Sequence, residues 1–187
     1  MAIENGISPI IILESALLPG MLVIGEQFRD NLIYISDVLI ASRAMHAGLH
    51  VLKPHLSEAR HSLLGRIVIG TVAGDLHDIG KNLVVMMLRG AGFDVIDLGI
   101  DVQPEDFAEA VVNHQPDIVA LSAMLTTTLY MIPETIRELE RKGLRNQVKV
   151  IIGGGPATND FAHVIKAEGF ASDAVTAVDL VKHLLKV

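Results

Sequence analysis

Residues 70–82 read GTVAGDLHDIGKN, and this stretch decides the fold. It follows an apolar, β-branched run at residues 66–69 that predicts a buried strand, and it precedes an apolar segment at residues 83–88 that predicts a helix. In an open parallel α/β sheet, ligands bind in such loops at the carboxyl ends of strands. Asp75 and His77 lie two residues apart in this loop. A neighbouring carboxylate fixes the tautomer and basicity of a metal-binding histidine; the alternative is a loop aspartate that caps the following helix.

Two phosphate-binding motifs do not fit the loop. A P-loop has four residues between its first glycine and the Gly-Lys-Ser/Thr that follows. Here five residues separate Gly74 from Gly80-Lys81, and Asn82 stands where the motif needs a hydroxyl residue. The dinucleotide fingerprint Gly-x-Gly-x-x-Gly is also absent from the chain. The loop therefore does not resemble either of these nucleotide sites.

The composition excludes several classes of function. The chain has 187 residues and a formal net charge of −7, from 15 basic and 22 acidic side chains. An acidic chain without a basic stripe argues against binding to nucleic acid or anionic membranes. No cysteine is present, so the chain has no disulfide and no thiolate metal site, and we expect it in the cytoplasm. The amino terminus lacks the basic region of a signal peptide, and no run approaches the ~20 apolar residues of a membrane span.

Two regions differ in their hydrophobic pattern. Residues 8–57 carry only helical signals, with breaks predicted at Pro19-Gly20 and before Pro54. From residue 65 the chain alternates, which predicts a five-stranded, doubly wound parallel sheet. The predicted strands are residues 66–71, 94–98, 118–122, 149–152 and 170–171, and the predicted helices are residues 81–91, 104–113, 129–142, 160–168 and 174–186.

A three-part pattern lies at the ends of the predicted strands. Its parts are Asp75/His77/Gly80, Ser122/Met124 and Gly153/Gly154, in that order. This pattern resembles the Asp-x-His-x-x-Gly, Ser-x-Leu, Gly-Gly signature of methionine synthase and of the corrinoid proteins of methyltransferase systems, with Met124 in place of the leucine. The helical region resembles the same family in residues 18–21 (LPGM), 25–28 (GEQF), 41–45 (ASRAM) and 52–54 (LKP).

The resemblance implies two domains. Residues 1–60 are expected to form a small helical-bundle cap, and residues 61–187 a Rossmann-like, flavodoxin-like cobalamin-binding domain, with a hinge at residues 54–61 inside a linker at residues 53–64. The cap lacks the first helix of the family, so we expect another subunit to cover the apolar face left open. Tyr34, Val38 and Met45 are either residues that face the corrin or ordinary helix-core residues.

The resemblance also implies roles for individual residues. His77 is expected to bind cobalt as the lower axial ligand, while Asp75 accepts the other ring N–H and Thr128 extends the hydrogen-bonded relay. These three are the predicted catalytic residues, and His77 is the predicted metal ligand. The residues expected to contact the cofactor are Gly74, Asp75, Leu76, His77, Asp78, Ile79, Gly80, Ser122, Met124, Thr126, Gly153, Gly154 and Gly155.

The function implied is that of a cobalamin-binding methyl carrier, which is not a self-sufficient enzyme. It would accept a methyl group on cobalt from a substrate-specific methyltransferase and pass it to a second methyltransferase. We expect aromatic methyl ether O-demethylation with tetrahydrofolate as the acceptor; the alternative is a methanol- or methylamine-specific system that uses coenzyme M. A reductive activator protein and a homo-oligomer formed through the cap are further expected partners.

Three other classes of protein remain to be distinguished. A cobalamin subunit of a carbon-skeleton isomerase shares the loop motif, but isomerases cover the corrin with a barrel domain rather than a helical cap. A cobalamin-dependent regulator needs a DNA-reading element, which the sequence does not contain. A flavodoxin-like module for another nucleotide does not need His77, and its yellow flavin would differ at sight from a red corrinoid.

Overall fold

The chain forms two compact units in its computed structural model, which describes residues 2–3, 5–56 and 64–187. One unit comprises Met1–Leu64 and Met86–Phe93, and the other comprises Gly65–Val85 and Asp94–Val187. The predicted domain boundary, between residues 60 and 61, falls outside the described residues, as does most of the predicted linker and hinge. Those three assignments therefore stay predictions.

The first unit is helical, as the sequence predicts. Its helices are α1 (Pro9–Ile12), α2 (Leu18–Arg29) and α3 (Ile35–Leu56), and a π-helical turn at Leu13–Leu17 joins α1 to α2. The predicted break at Pro19-Gly20 is wrong, because the chain stays helical through both residues. A proline ring clashes with the carbonyl four residues earlier in a regular helix. The wider π-helical turn directly before α2 gives the ring of Pro19 space.

The third helix is longer than predicted. The sequence places its end before Pro54, but α3 continues to Leu56, so this prediction is also wrong. A proline inside a helix removes one hydrogen bond of the ladder. Because Pro54 lies in the last turn, that missing bond costs α3 less than it would in the middle of the helix.

A small apolar core holds the helical unit together. Its buried members are Leu13 from the π-helical turn, Met21 from α2, and Met45 and Leu52 from α3. Met45 therefore packs as a helix-core residue. Val38 is buried as well, whereas the side chain of Tyr34 is 79% exposed. A corrin-facing role for Tyr34 or Val38 stays a prediction.

The second unit confirms the predicted α/β class. Its parallel sheet has five strands in the order β2-β1-β3-β4-β5. The strands are β1 (Arg66–Thr71), β2 (Asp94–Asp97), β3 (Ile118–Ser122), β4 (Lys149–Gly153) and β5 (Gly169–Ala171), and the helices are α4 (Ile79–Gly90), α5 (Pro104–His114), α6 (Met131–Arg141), α7 (Asn159–Val164) and α8 (Ala174–Leu185). Within the part of the chain that the structure describes, no helix has the length and apolar character needed to cross a bilayer.

Buried apolar contacts fix the positions of the central strands of the sheet. Every residue of β1 after Arg66 is buried. Gly70 lies against Phe107 of α5, where a Cβ would approach the phenyl ring to 2.8 Å. Phe107 belongs to an apolar cluster that also includes Val68 and Leu121 from the two central strands. The ends of β1 and β3 are thus fixed side by side.

The sheet order explains where a ligand binds. The chain reverses direction of winding between β1 and β3, which are neighbours in the sheet. The loops that leave these two strands diverge to opposite faces and open a crevice at the carboxyl edge. Thr71, Ser122 and Gly153 stand in register at that edge, on β1, β3 and β4.

Candidate functional site

The centre of the site is the buried carboxylate of Asp75. Its side chain has no solvent exposure, and it lies in the loop between β1 and α4. Oδ1 accepts from Nδ1 of His77 at 2.7 Å and from the backbone N–H of the same residue at 3.1 Å. Oδ2 accepts from the hydroxyl of Thr128 at 2.7 Å and from the backbone N–H groups of Met124 and Leu125 at 2.7 and 3.3 Å. Both oxygens are therefore fully occupied.

These hydrogen bonds keep Asp75 ionised. Burial by itself raises the pKa of the carboxyl, because it penalises the charged form. The bonds from the Thr128 hydroxyl, the Met124 amide and His77 outweigh burial and hold the pKa well below its usual range. Asp75 is thus an acceptor only, with a fixed negative charge beside the imidazole.

The ring of His77 is held at one nitrogen and open at the other. Nδ1 donates to Asp75, because an ionised carboxylate has no hydrogen to give. The neutral ring therefore carries its lone pair on Nε2, and the side chain is 55% exposed. The hydroxyl of Thr71 donates to the backbone carbonyl of His77 at 3.0 Å. This arrangement presents one nitrogen ligand at the carboxyl edge of the sheet.

Thr128 supports the carboxylate from the loop after β3. Its side chain is buried, and Oγ1 lies 2.7 Å from Oδ2 of Asp75 and 3.0 Å from the carbonyl oxygen of Leu125. A hydroxyl has a single hydrogen, and the shorter contact to a charged acceptor is the stronger one. The structure therefore contains the hydrogen-bonded series Thr128–Asp75–His77 that the sequence predicts.

Replacing Thr128 with valine tests the strength of this support. The change keeps the shape of the side chain but removes the bond to a buried charge, so we expect unfolding to become easier by about 1.5–3 kcal/mol at pH 7. The same bond helps to hold the pKa of Asp75 below its usual range. The difference should therefore be complete above about pH 5 and disappear as the carboxyl protonates at lower pH.

The matched control is Thr127→Val, one residue earlier in the same loop and exposed. Urea unfolding of the three proteins from pH 8 down to about pH 1 measures the effect, because the lowered pKa of Asp75 places its loss at the acid end of this range. A loss of stability in Thr128→Val that stays constant across this range would contradict a role in holding the Asp75 charge.

Glycines shape the loop that follows β4. Gly154 has a φ of +111°, and a Cβ on it would lie 1.9 Å from the carbonyl oxygen of Ala123. The loops after β3 and β4 thus touch backbone to backbone, and only glycine fits between them. Gly153 pairs in register with Ser122, and Gly155 lies beside the side chain of Met124. This close approach fixes the loops after β3 and β4 against each other.

Apolar side chains surround the candidate ligand. We define the edge patch as Leu76, Ile79, Ile100, Met124 and Leu125, which are all exposed and lie on loops at the carboxyl edge or at the start of α4. Exposed apolar surface beside a polar ligand is typical of a site that binds a large, mainly apolar molecule. The sequence names Leu76, Ile79 and Met124 among the expected cofactor contacts, whereas it places Ile100 and Leu125 only in the loops that follow the second and third predicted strands.

The structure brings some predicted residues together and leaves others apart. The backbone N–H of Met124, rather than its side chain, donates to the carboxylate of Asp75. Asp78 bonds to Asn82 at the start of α4. Among the described hydrogen bonds, neither Ser122 nor Thr126 contacts Asp75 or His77; Ser122 is half-buried at the end of β3, and Thr126 is exposed. A cofactor-binding role for Asp78, Ser122 and Thr126 stays a prediction, as it does for the other residues expected to contact the cofactor.

Comparison with known proteins identifies the family. Residues 65–179 match the B12 binding domain family, and residues 1–53 match a second family described as a B12 binding domain. The chain belongs to the B12-binding family. This chain is 40% identical over 187 residues to trimethylamine corrinoid protein 2 of Methanosarcina acetivorans. The alignment covers 99% of this chain and 86% of that protein.

Two further relatives place the corrinoid protein among methyltransferase systems. It is 42% identical over 183 residues to the dimethylamine corrinoid protein of Methanosarcina barkeri, covering 97% of this chain and 86% of that one. It superimposes on a chain of the methanol:cobalamin methyltransferase complex MtaBC from the same organism with a TM-score of 0.89 and 31% identity, over 99% of this chain and 70% of that chain. The corrinoid protein is thus a component of a methyltransferase system, and its cofactor is cobalamin.

The residues at the carboxyl edge fit this cofactor. Bound cobalamin would bring a cobalt atom to this site, and imidazole is a suitable ligand for such a metal. His77 offers a single nitrogen with its tautomer fixed by Asp75. The edge patch supplies apolar surface for a flat macrocycle. The chemistry of the site therefore agrees with the family.

Proposed function

We propose that the protein carries methyl groups in a methylamine-dependent methyltransferase system, with coenzyme M as the final acceptor. The observation that carries this proposal is the 40–42% identity, over nearly the whole chain, to proteins named for trimethylamine and dimethylamine. Bound cobalamin supplies a cobalt atom that accepts and releases a methyl group. The aromatic methyl ether donor and tetrahydrofolate acceptor expected from the sequence have less support than this alternative.

We assign His77 as the ligand that binds cobalt from below. The assignment is supported by its half-exposed ring and by the bond that leaves Nε2 with the lone pair. Asp75 orients the ring and raises its basicity through Nδ1. Whenever Nε2 is not bound to metal it can take up a proton, and the ionised Asp75 carboxylate lies ready to neutralise the resulting charge. Nε2 thus binds either the metal or a proton, while Nδ1 keeps its hydrogen bond to Asp75.

Thr128 and two backbone amides keep this exchange reversible. They hold Asp75 in its charged form, so the proton taken up by the ring stays on His77 rather than moving to the carboxylate. The rigid position of Asp75 also returns the ring to the same orientation each time. We therefore count Asp75 and Thr128 with His77 as the relay of the site.

The nucleotide tail of the cofactor is assigned to the crevice after β3 and β4. Ser122, Thr126 and the three glycines at residues 153–155 are the proposed contacts. Hydroxyl groups can bond to a buried tail, and the absence of side chains on three consecutive residues lets a bulky ligand approach the backbone. The edge patch would then lie against the lower face of the corrin and exclude water from Nε2 of His77.

Methyl transfer into the loaded protein tests the proposal. The protein is reconstituted with hydroxocobalamin, reduced, and mixed with a trimethylamine, dimethylamine, methanol or aromatic-ether methyltransferase and its own substrate. We expect the absorption spectrum of the methylated cofactor to develop with a methylamine methyltransferase and to decay when coenzyme M and its methyltransferase are added. Each methyltransferase is paired with its usual corrinoid protein as a positive control. Methylation by the aromatic-ether enzyme alone would overturn the proposal.

The partners proposed are two methyltransferases, a reductive activator and a second copy of this chain, in the cytoplasm. A homo-oligomer through the helical unit is supported by exposed apolar side chains on α2 and α3, among them Leu22, Val23, Leu39 and Ile40. Such a surface is typical of a protein–protein contact. Light scattering at micromolar concentration should therefore give a mass above 20.1 kDa, and a clean monomer would contradict self-association.

A further inference from the structure

The loop after β2 is bonded to the backbone on both sides of the Asp75 side chain. The carboxylate of Asp101 accepts from the backbone N–H of Gly74 at 2.7 Å. The backbone N–H of Asp101 donates to the carbonyl oxygen of Asp75 at 3.1 Å. Asp101 thus bonds both to the backbone amide of Gly74 and to the backbone carbonyl of Asp75. Asp101 has no part in the relay of Thr128, Asp75 and His77, yet it holds the backbone from which that relay starts.

Asp101 adopts an uncommon backbone conformation to make these bonds. Its φ is +53°, in the left-handed region, and its partner Gly74 has a φ of +77°. A residue with a side chain is destabilised there, and Asp and Asn tolerate the region best apart from glycine. Strained residues of this kind persist where the surrounding structure requires them, often at functional sites. The strain therefore indicates that the position of Asp101 matters to the site.

The other end of the His77 loop is bonded to the same strand and loop. Lys81, in the first turn of α4, has a side chain that is only 1% exposed. Its Nζ donates to both carboxylate oxygens of Asp97, at 2.6 and 2.7 Å. Asp97 in turn accepts from the backbone N–H of Gly99 at 2.9 Å. The loop from Gly74 to Lys81 is consequently fixed at each end by residues 97–101.

We infer that Asp101 is a positioning residue, which sets the orientation of Asp75 and thereby the tautomer of His77. Without its carboxylate the Gly74 amide loses its partner, and the backbone that carries Asp75 can shift, which changes the position of the carboxylate relative to the ring. The Nδ1–H tautomer depends on that carboxylate, and so does a lone pair at Nε2. The inference concerns the ring itself, but its consequence for cobalamin rests on the proposed role of His77.

Two substitutions separate the hydrogen bond from the backbone strain. Asp101→Asn keeps an acceptor oxygen for Gly74 and tolerates the left-handed region, whereas Asp101→Gly removes the acceptor and relieves the strain. Nitrogen NMR of ¹⁵N-histidine in the cofactor-free proteins, near pH 8 where an ordinary histidine with a pKa of about 6.5 is neutral, reports the tautomer. The His77 signal is assigned by its loss in His77→Gln.

We expect the wild type and Asp101→Asn to hold His77 as the Nδ1–H tautomer, and Asp101→Gly to show a mixture of tautomers. Cobalamin affinity, measured by absorption titration, should fall ~10–100-fold in Asp101→Gly, as for other residues that orient a metal ligand, and recover in Asp101→Asn. An Asp101→Gly protein with an unchanged tautomer and unchanged affinity overturns the inference, whatever its melting temperature.

The two measurements also separate this inference from the proposed ligand role. If the tautomer changes in Asp101→Gly while cobalamin affinity and spectrum are the same in every variant, including His77→Ala, then Asp101 positions His77 as inferred and the ligand role of His77 is wrong. If His77→Ala alters the cobalamin spectrum but Asp101→Gly leaves the tautomer intact, the ligand role stands and the inference fails.

Discussion

Replacing His77 with alanine is expected to weaken cobalamin binding about tenfold or more while leaving the fold intact. Loss of a residue that merely orients a metal ligand costs ~10–100-fold in metal affinity, and loss of the ligand itself should cost at least as much. The ring is half-exposed and contributes little to the core, but its Nδ1 donates to the buried carboxylate of Asp75, so we expect a fall in stability no larger than that of Thr128→Val. Absorption titration with hydroxocobalamin, followed by desalting, measures both the affinity and the spectrum of the bound cofactor.

The matched control is His163→Ala, which removes an exposed imidazole from the last turn of α7 in the same unit. This variant should bind cobalamin as the wild type does and give the same spectrum. If His77→Ala and His163→Ala behave alike, with unchanged affinity and spectrum, His77 is not the ligand of cobalt. The Asp75–His77 hydrogen bond would then be a structural feature of the loop.

Replacing Gly154 with alanine is expected to destabilise the second unit by roughly 2–5 kcal/mol. The new Cβ would lie 1.9 Å from a backbone oxygen, that of Ala123, so no rotation of a side chain can relieve the clash. The positive φ adds about 1–2 kcal/mol to an overpacking cost of about 1–3 kcal/mol. Because Ala123 precedes Met124, whose amide binds Asp75, the displaced loop should also weaken cobalamin binding. Urea unfolding and cobalamin titration measure the two effects.

The neighbouring substitution Gly155→Ala provides the comparison. A Cβ there would approach only the flexible side chain of Met124, at 3.3 Å, which can move by a few tenths of an ångström. Its effect on unfolding should therefore stay below about 1 kcal/mol. Equal stability of Gly154→Ala and Gly155→Ala would show that the loops after β3 and β4 do not touch through their backbones.

The sheet could be predicted closely because each strand is a short apolar run between polar ends. The run at residues 66–71 and the run at residues 118–122 match β1 and β3 at both ends. Strands covered by helices on both faces have no polar side to interrupt the pattern. The helix at residues 160–168 is shorter in the structure, Asn159–Val164, because the chain turns through a left-handed Lys166.

The helical unit was harder to predict because a proline in this region does not always end or break a helix. The sequence rule that a proline ends or breaks a helix fails at Pro19, which follows a π-helical turn, and at Pro54, which lies in the last turn of α3. A π-helical turn has no sequence signature that distinguishes it from an ordinary turn. Tertiary packing around Leu13, Met21 and Met45 decides the path of this segment.

The relay was predictable in its side chains and not in its backbone. Asp75 and His77 are close in sequence, and the family resemblance placed Thr128 with them. The amides of Met124 and Leu125, which bind Oδ2 of Asp75, belong to a loop about fifty residues away, and no side-chain type marks such donors. The only signal for Asp101 was its place in a turn after a predicted strand. Contacts made by the backbone across loops therefore required the structure.

The methyl donor was the least predictable property. A carrier binds methyltransferase proteins rather than the free substrate, so the residues around His77 do not encode which compound is demethylated. The preference for aromatic methyl ethers rested on weak grounds, and relatives named for methylamines favour the alternative.

Electron paramagnetic resonance of the cobalt(II) form tests most directly the claim that His77 holds the cobalt from below. The spectrum is recorded for protein made with unlabelled histidine and for protein made with ¹⁵N-histidine, both loaded with cobalamin of natural isotope content. A histidine ligand predicts that the nitrogen splitting of each cobalt line changes from a triplet to a doublet on labelling, and that this change is absent in His77→Ala. Splitting that remains a triplet in the labelled protein would assign the ligand to the cofactor's own base and contradict the account.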